Sequence, residues 1–589
     1  MLVRRLTVEN VRSFLDSATL HMDGQISILI GPNGGGKTNL LDILVIALRR
    51  YLFASHYPAH APTPEQPERY EMRHNDVLNN MNFERHSRSE PTRTQLVEIE
   101  LEITQLDITS MHAMKNDANR LTEFGAKKYI NLVLQEATQW NLDEFRAGCR
   151  VVYRVINGTL DAITDEVARV FLRYLQLFEI DSKLREEAEL SALATPMMYL
   201  SVTRSSSGFQ SSVQLANYND FEQKRQSDGT SSRSGSSVVA LAVGRMAQKF
   251  RLLLEKDKGV AAKEFAADKS LSQMTQLLRE LGYEWALDCL SPLKNQYDVL
   301  LKKQGSTFLV GAASSGEREL LTYLFAIFAL NVRDAIIIVD EPELHLHPKW
   351  QQTLLKLFVR LAKSTGNQFL LATHSPTFVS PQSIQYVSRV FSKGQSSQIL
   401  RLNASALPEV KHLFNIVNSQ NNEKIFFADR VVLVEGLLDR IFFEAVLDHH
   451  GRSDSSRTIT EIVSVGGKGF FAAYEKILKA CQIGYAIVAD LDYLEEIGSG
   501  DIKALFGLDA REVKKDVLEN EGSLDGAALV ARIDEAMASG NWADARMTWE
   551  YIKSRRRRLR PNLKATELAV LDAFIVNRAK GGIFLYTAS

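Results

Sequence analysis

The sequence predicts an α/β fold in two units, the first of them divided by a mainly helical insertion. Three observations carry that reading. A short apolar strand, Ile26–Ile30, runs straight into a glycine-rich loop and then into a helical pattern. A second apolar strand, Ala335–Val339, ends far along the chain in the carboxylate pair Asp340-Glu341. Two later apolar strands, Val431–Val434 and Tyr485–Ala489, also deliver carboxylates to their C-terminal ends. Strands alternating with helices build parallel sheets, and α/β proteins place their sites at the ends of such strands.

At 589 residues the chain exceeds what one core supports, and three or four folding units are expected. Apolar residues at 45% and charged residues at 24% give the balance of an ordinary globular protein. A formal net charge of −1 excludes a global field that draws the chain to nucleic acid, so a DNA-binding surface must be a local patch. Cys149, Cys289 and Cys481 lie far apart without paired spacing, which argues against a disulfide framework or a thiolate zinc site. The opening MLVRRLTVENVRSF lacks the apolar core of a signal peptide. The longest apolar stretch, around Leu320–Val332, falls well short of the roughly 20 residues a membrane span needs. A cytoplasmic protein without membrane contact is expected.

Residues 1–50 read as strand, strand, glycine-rich loop and helix, with Asn39–Leu48 at helical spacing. His56–Glu90 is polar and proline-containing, an exposed loop or insertion. Leu96–Ile103 and Arg150–Ile156 alternate as strands. Residues 160–195 and 238–290 read as largely helical, and Ser205–Ser237 between them has the Ser/Gly/Gln composition of a mobile linker. The α/β pattern returns near Tyr297 and runs to Leu402; the polar segment Asn415–Lys424 then precedes the second unit. The expected boundaries are 1–158 and 297–402 for the halves of a split domain, 159–296 for the insertion, and 425–589 for the last domain.

Gly31-Pro-Asn33-Gly34-Gly-Gly36-Lys37-Thr38 fits the phosphate-loop pattern GxxxxGK[ST] between a strand and a helix. Glycines let successive backbone N–H groups curl around phosphates, and the helix N-terminus that continues through Asn39 adds its positive dipole end. Lys37 is expected on the β- and γ-phosphates of ATP, and the Thr38 hydroxyl on Mg²⁺. Asp340 at its strand end suits the Mg²⁺ shell, and Glu341 suits polarisation of the attacking water.

Ser314-Ser315-Gly316-Glu317-Arg318 resembles the ABC signature, whose serine and glycine cap the γ-phosphate held by the opposite subunit. Thr373-His374-Ser375, after the strand Phe369–Ala372, resembles the switch histidine. In this order, with Pro342-Glu343-Leu344-His345-Leu346-His347-Pro348 after the carboxylate pair, these segments resemble the ABC ATPases of the SMC and RecF group. That resemblance implies a head-to-head homodimer with two composite sites and ATP acting as a clamp or switch. It also assigns residues 345–348 to a dimer-contacting loop, which weighs against a zinc site built from His345, His347 and His374.

In the last domain, Glu435 ends one strand, Asp439 follows one helical turn later, and Asp490-Leu-Asp492 ends another. Carboxylates at i and i+2 off a strand end project the same way. Unpaired, such a set repels itself, and Mg²⁺ or Mn²⁺ suits its oxygen-only ligands. Two such ions activate water and stabilise a leaving 3′-oxygen. The bland alternative is that these acids cap helices and turns, a fair reading for Asp439 alone. The pattern resembles the Toprim fold of topoisomerases, primases and related nucleases.

The whole arrangement, a split ABC ATPase with a helical dimerisation insertion followed by Toprim, resembles the OLD (overcoming lysogenization defect) nucleases, including the nuclease subunit of the Gabija defence system. The resemblance implies a catalytic set of Glu341, Glu435, Asp490 and Asp492, with Asp439 a further metal ligand and a late lysine at the scissile phosphate. Lys580, just before the strand Ile583–Tyr586, is the candidate for that lysine, and Lys468 in Gly466-Gly467-Lys468-Gly469 is a second. Members of that family run a little past the position where this chain stops, Ser589.

The run Arg555-Arg556-Arg557-Arg558-Leu559-Arg560 is a candidate DNA-backbone contact, the alternative being a solvated helix face paired with acids. The expected function is an ATP-regulated, metal-dependent DNA endonuclease in defence against phage, working alone, beside a helicase or with a retron. The alternatives are an ATP-gated scaffold or sensor, and a RecF-like DNA-repair ATPase that does not cut.

Overall fold

In the computed structural model the opening residues form β1 (Leu2–Glu9) and β2 (Ala18–His21), an antiparallel pair whose inward residues are buried. β3 (Ile26–Ile30) is buried at every position, as a central parallel strand must be, and hands the chain to α1 (Lys37–Ile46). The structure describes residues 1–53, 82–202, 211–215, 238–380, 382–402, 422–451, 459–508, 534–541 and 557–586, with short pieces between 55 and 74 and at 543 and 546. Most of the expected exposed loop 56–90 and of the linker 205–237 lies outside the described residues. Contacts divide the chain into two units, 1–408 and 409–589.

In the first unit β4 (Leu96–Glu102), β5 (Arg150–Ile156) and β6 (Thr159–Leu160) join β1 and β2 in an antiparallel sheet of order β6-β5-β4-β1-β2. Its buried face packs with α2 (Gln105–Gly125) and α3 (Glu166–Glu187) in one apolar core. Charged pairs such as Arg4–Glu102 and Arg150–Glu100 lie across neighbouring strands of this sheet.

β7 (Thr195–Leu200) does not belong to a helical insertion: it pairs in parallel with the strand that ends in Asp340. Its sequence, TPMMYL, is a largely apolar six-residue run too short for periodicity to separate strand from helix, and sheet pairing decides. The insertion is also less helical than its spacing predicts. β8 (Val213–Gln214), β9 (Glu284–Ser291), β10 (Gln296–Lys303) and β11 (Ser306–Leu309) form a small antiparallel sheet beside α4 (Val238–Lys256) and α5 (Lys269–Glu280). α6 (Ser315–Ala329) packs against both α4 and α5.

The second sheet of this unit is completed by β12 (Val332–Asp340), then, after α7 (Pro348–Thr365), by β13 (Gln368–Ala372), β14 (Val387–Lys393) and β15 (Ser396–Arg401). Its order is β7-β12-β13-β3-β14-β15, parallel except for the antiparallel edge strand β15. The ends of β3, β13 and β12 therefore stand side by side, and they bring together the glycine-rich loop, His374 and the Asp340-Glu341 pair.

The second unit contains β16 (Arg430–Val434), α8 (Leu437–Gly451), β17 (Thr460–Ser464), α9 (Phe471–Ala480) and β18 (Gly484–Asp490). A two-stranded ribbon of β19 (Phe506–Leu508) and β20 (Arg557–Leu559) follows, then α10 (Ala565–Lys580) and β21 (Ile583–Tyr586). The main sheet, β17-β16-β18-β21, is wholly parallel. Among the described residues no helix is long and apolar enough to cross a membrane.

Candidate functional site

The phosphate loop is held by backbone geometry that only glycine accepts. Gly31 and Gly36 have φ of 141° and 109°; a Cβ at Gly31 would stand 2.0 Å from the Val390 carbonyl oxygen, and one at Gly36 would meet the Ser397 and Ser13 hydroxyls. Asn39 donates to Ser13 Oγ at 3.0 Å, tying α1 to the loop after β1. Asn33 and Gly34 are exposed at the loop tip, and Thr38 is half-buried in the first turn of α1. The Lys37 ammonium is buried and folds back onto the Gly31 and Pro32 carbonyl oxygens, at 2.8 and 3.1 Å. Burial lowers its pKa to about 8, against the pull of Asp340, Glu341 and Glu343.

Asp340 is buried at the end of β12. Glu341 takes a left-handed conformation (φ 47°) and donates its N–H to the Ala372 carbonyl at 2.8 Å, which turns the chain out of the sheet. His374 Nε2 lies 3.8 Å from Glu341 Oε1. Burial and the Lys37 charge push the His374 pKa down to about 4, so the imidazole is neutral at pH 7 and the contact is not an ion pair.

The sequence alone does not single out Glu343, yet it fixes the backbone at His374. Its carboxylate accepts the His374 N–H at 2.6 Å and the Thr373 hydroxyl at 2.8 Å. Burial raises its pKa in spite of these donors. Ser375 donates to Gln351, which donates in turn to the Leu346 carbonyl. His347 Nδ1 accepts the Lys349 N–H at the start of α7, and His345 is exposed at φ 62°.

Ser314, Ser315 and Gly316 stand at the N-terminus of α6. Ser314 caps the helix and shares a capping box with Glu317, while Ser315 is exposed. Burial pushes Glu317 up, but bonds from Lys303, Tyr283 and Ser314 outweigh it and hold the carboxyl near 2. A Cβ at Gly316 would lie 3.3 Å from the Leu346 side chain, so the start of α6 sits against the loop after Asp340-Glu341.

In the second unit Glu435, Asp490 and Asp492 each offer an oxygen within 4.8 Å of the others, at the C-terminal ends of adjacent parallel strands. Burial, then the neighbouring carboxylates, raises the pKa of Glu435 and of Asp490. Asp490 Oδ1 and Asp492 Oδ1 are buried without a hydrogen-bond partner. Orphaned, mutually repelling oxygens of this kind fit a hard divalent cation such as Mg²⁺ or Mn²⁺. Asp439 is engaged elsewhere: its carboxylate accepts the Gly436 N–H and the Tyr586 hydroxyl, both at 2.9 Å.

The lysine beside the carboxylates is Lys468, whose ammonium lies 3.0 Å from Asp492 Oδ2. Lys580 stands at the exposed end of α10. A helix between parallel strands runs against them, so its C-terminus reaches the start of the next strand. Because Asp490 pairs with Tyr586, Lys580 lies at the far end of β21 from the acids. Of the arginine run, Arg555 and Arg556 fall outside the described residues. Arg557 and Arg558 are in β20, and Arg560 is bonded to Glu567 and to the Leu505 carbonyl.

Residues 106–380 match the family model of the AAA domain described with the AbiEii toxin and Type IV TA system. Residues 426–492, which include Glu435, Asp439, Asp490, Asp492 and Lys468, match the Toprim domain of overcoming lysogenization defect protein-like proteins. The chain is 27% identical to the Old nuclease of Escherichia phage P2 over 249 residues, 40% of this chain and 42% of that protein. It is 28% identical to the OLD nuclease of Thermus scotoductus over 164 residues, 26% and 30% of the two chains. It is likewise 28% identical to endonuclease GajA of Bacillus cereus over 215 residues, 35% and 36% of the two. The matched stretches span less than half of each relative. By these two family matches the chain joins an AAA-type domain to an OLD-like Toprim domain.

Proposed function

We propose that the protein is an ATP-regulated, divalent-metal-dependent DNA endonuclease. The convergence of Glu435, Asp490 and Asp492 carries the reading: three carboxylates within 4.8 Å, two of their oxygens buried and unpartnered, in a Toprim domain similar to that of named nucleases. These residues would hold Mg²⁺ or Mn²⁺, which supplies water activation and neutralises phosphate charge. The strand ends of the parallel sheet keep the carboxylates together before any substrate arrives. In the ATPase domain Lys37 and the loop amides bind the phosphates, Thr38 and Asp340 complete a Mg²⁺ shell, and Glu341 orients water. Neutral His374 serves as a hydrogen-bonding group toward the γ-phosphate, and Ser315 and Gly316 would cap the nucleotide of a second copy. Arg555 to Arg558 form the candidate contact to the DNA backbone. A role in defence against phage accords with the likeness to GajA.

The test is cleavage of supercoiled plasmid with Mg²⁺ or Mn²⁺, with and without ATP, for wild type, Glu435→Ala and Lys37→Ala. Metal-dependent nicking or linearisation that disappears in Glu435→Ala is expected, and Lys37→Ala reveals the sign of ATP control. If wild type leaves the plasmid intact under every condition, a stand-alone nuclease is the wrong reading.

A further inference from the structure

Glu317, in the first turn of α6, holds more donors than a helix cap requires. Its Oε2 accepts the Ser314 N–H at 3.0 Å, which closes the capping box, and the Ser314 hydroxyl at 2.7 Å. Its Oε1 accepts from outside the helix, from the Tyr283 hydroxyl at 2.6 Å and the Lys303 ammonium at 2.5 Å. Four donors fill the lone-pair sites of a carboxylate, so Glu317 has none left to offer a nucleotide. Both donors on Oε1 belong to the insertion. Tyr283 is buried just ahead of β9, after Gly282 (φ 85°) turns the chain out of α5, and Lys303 ends β10. The Lys303 ammonium also donates to the Tyr283 hydroxyl at 2.8 Å and lies 4.7 Å from the centre of its ring.

An ordinary exposed ion pair counts for little. Here the Glu317 side chain is 18% exposed, and a buried phenol holds both charged partners. Trp285 follows two residues after Tyr283, on the same side of the chain, and meets Phe325 edge to face with ring centres 6.3 Å apart. Phe325 lies about two turns beyond Glu317 on α6. The small sheet therefore grips α6 at two points along its length, which fixes the rotation of its first turn. The direction of the Ser315 and Gly316 N–H groups is fixed with it. Resting on the composite-site reading above, we propose that Tyr283 and Lys303 are positioning residues for the ATP held by a second copy: acting through Glu317, they aim the Ser315 and Gly316 donors at its γ-phosphate. The insertion thereby takes part in hydrolysis without touching nucleotide.

The experiment measures steady-state ATP turnover and binding of a fluorescent ATP analogue in the full-length chain. Wild type is compared with Tyr283→Phe/Lys303→Met, Glu317→Ala, the triple variant and Ser315→Arg. The double variant is expected to lower kcat about tenfold, as a misplaced catalytic contact does, with binding within about twofold because its own phosphate loop is untouched. Glu317→Ala should match that loss. The triple variant should lose less than about twofold more, since a route through Glu317 can be cut only once. A general loosening of the insertion would instead add to the Glu317→Ala loss. Unchanged turnover in the double variant, additive losses in the triple variant, or equal losses of binding and turnover would overturn the proposal. Ser315→Arg separates the two readings. Unchanged turnover there, or none in wild type, overturns the composite ATP site and the proposal with it; a loss there beside wild-type turnover in the double variant overturns the proposal alone. Circular dichroism melts identify any variant that has unfolded, and Lys303→Gln alone then replaces the double substitution.

Discussion

Tyr586 donates its phenolic hydrogen to Asp439 at 2.9 Å and so joins the last strand of the Toprim sheet to the first turn of α8. Burial and hydrogen bonds to Asp439 and Asp490 raise the phenol pKa, which keeps it protonated and donating. The other Asp439 oxygen accepts the Gly436 N–H, so this aspartate shapes the turn that presents Glu435. Asp439→Asn should therefore change Mn²⁺ affinity by less than about threefold, whereas Glu435→Gln should weaken it about 100-fold. Those limits follow from losing one hydrogen bond as against one charged ligand. Tyr586→Phe should cost about 1 kcal/mol of stability in urea unfolding and reduce cleavage, since two carboxylates lose a shared donor. A 100-fold loss of Mn²⁺ affinity in Asp439→Asn would return that residue to the ligand set.

Glu343 and His374 make the corresponding link in the ATPase domain. The Glu343 carboxylate holds the His374 N–H and the Thr373 hydroxyl, so Glu343→Ala leaves two donors at a buried turn without their acceptor. Steady-state ATPase should fall at least about tenfold, because one misplaced catalytic contact costs that much or more. Binding of a fluorescent ATP analogue should stay within about threefold, since Lys37 and the loop amides are untouched. Glu343→Gln, which keeps one acceptor, should lie between the two. Equal losses in binding and turnover would indicate a collapsed nucleotide pocket instead.

What the sequence made legible was local. A strand, a glycine loop and a helix follow one another at Ile26–Ile46, and strand-borne carboxylates at Asp340, Glu435 and Asp490 advertise themselves by the apolar runs before them. What it hid depends on topology. Lys468 and Lys580 are equally basic in the sequence, and only the parallel order of the sheet shows that they lie at opposite ends of its strands. Glu343 is one more carboxylate just after Asp340-Glu341 until β13 brings Thr373 and His374 beside it. Tyr586 ends an unremarkable apolar strand, and its partner Asp439 lies 147 residues earlier. β7 lies within the expected helical insertion because a run as short as TPMMYL has no measurable period.

Ser315 tests the composite ATP site. It is exposed at the N-terminus of α6, where free backbone N–H groups and the helix dipole favour a phosphate. In a Glu341→Gln background, which should slow hydrolysis, ATP is expected to raise the extent of self-association measured by light scattering. Adding Ser315→Arg should remove that ATP-dependent increase and leave nucleotide binding by each chain unchanged. An increase that persists would mean that ATP-driven association does not use this helix terminus.

Lys37 makes ATP binding pH-dependent in a direction its burial dictates. Without nucleotide its pKa lies near 8, chiefly because burial disfavours the charge. Phosphates placed against the ammonium favour the charged form and raise that pKa. Below pH 8 the lysine is already protonated, and affinity should vary little with pH. Above it, binding must take up a proton, so affinity should fall with a slope approaching about tenfold per pH unit until the bound-state pKa is reached. Calorimetry at pH 8.5 in two buffers of different ionisation enthalpy should report net proton uptake on binding ATP. Lys37→Met should bind more weakly and lose both the uptake and the slope. Proton release in wild type, or an unchanged slope in Lys37→Met, would place the titrating group elsewhere, because no other assignment of sign follows from a buried lysine meeting an anion.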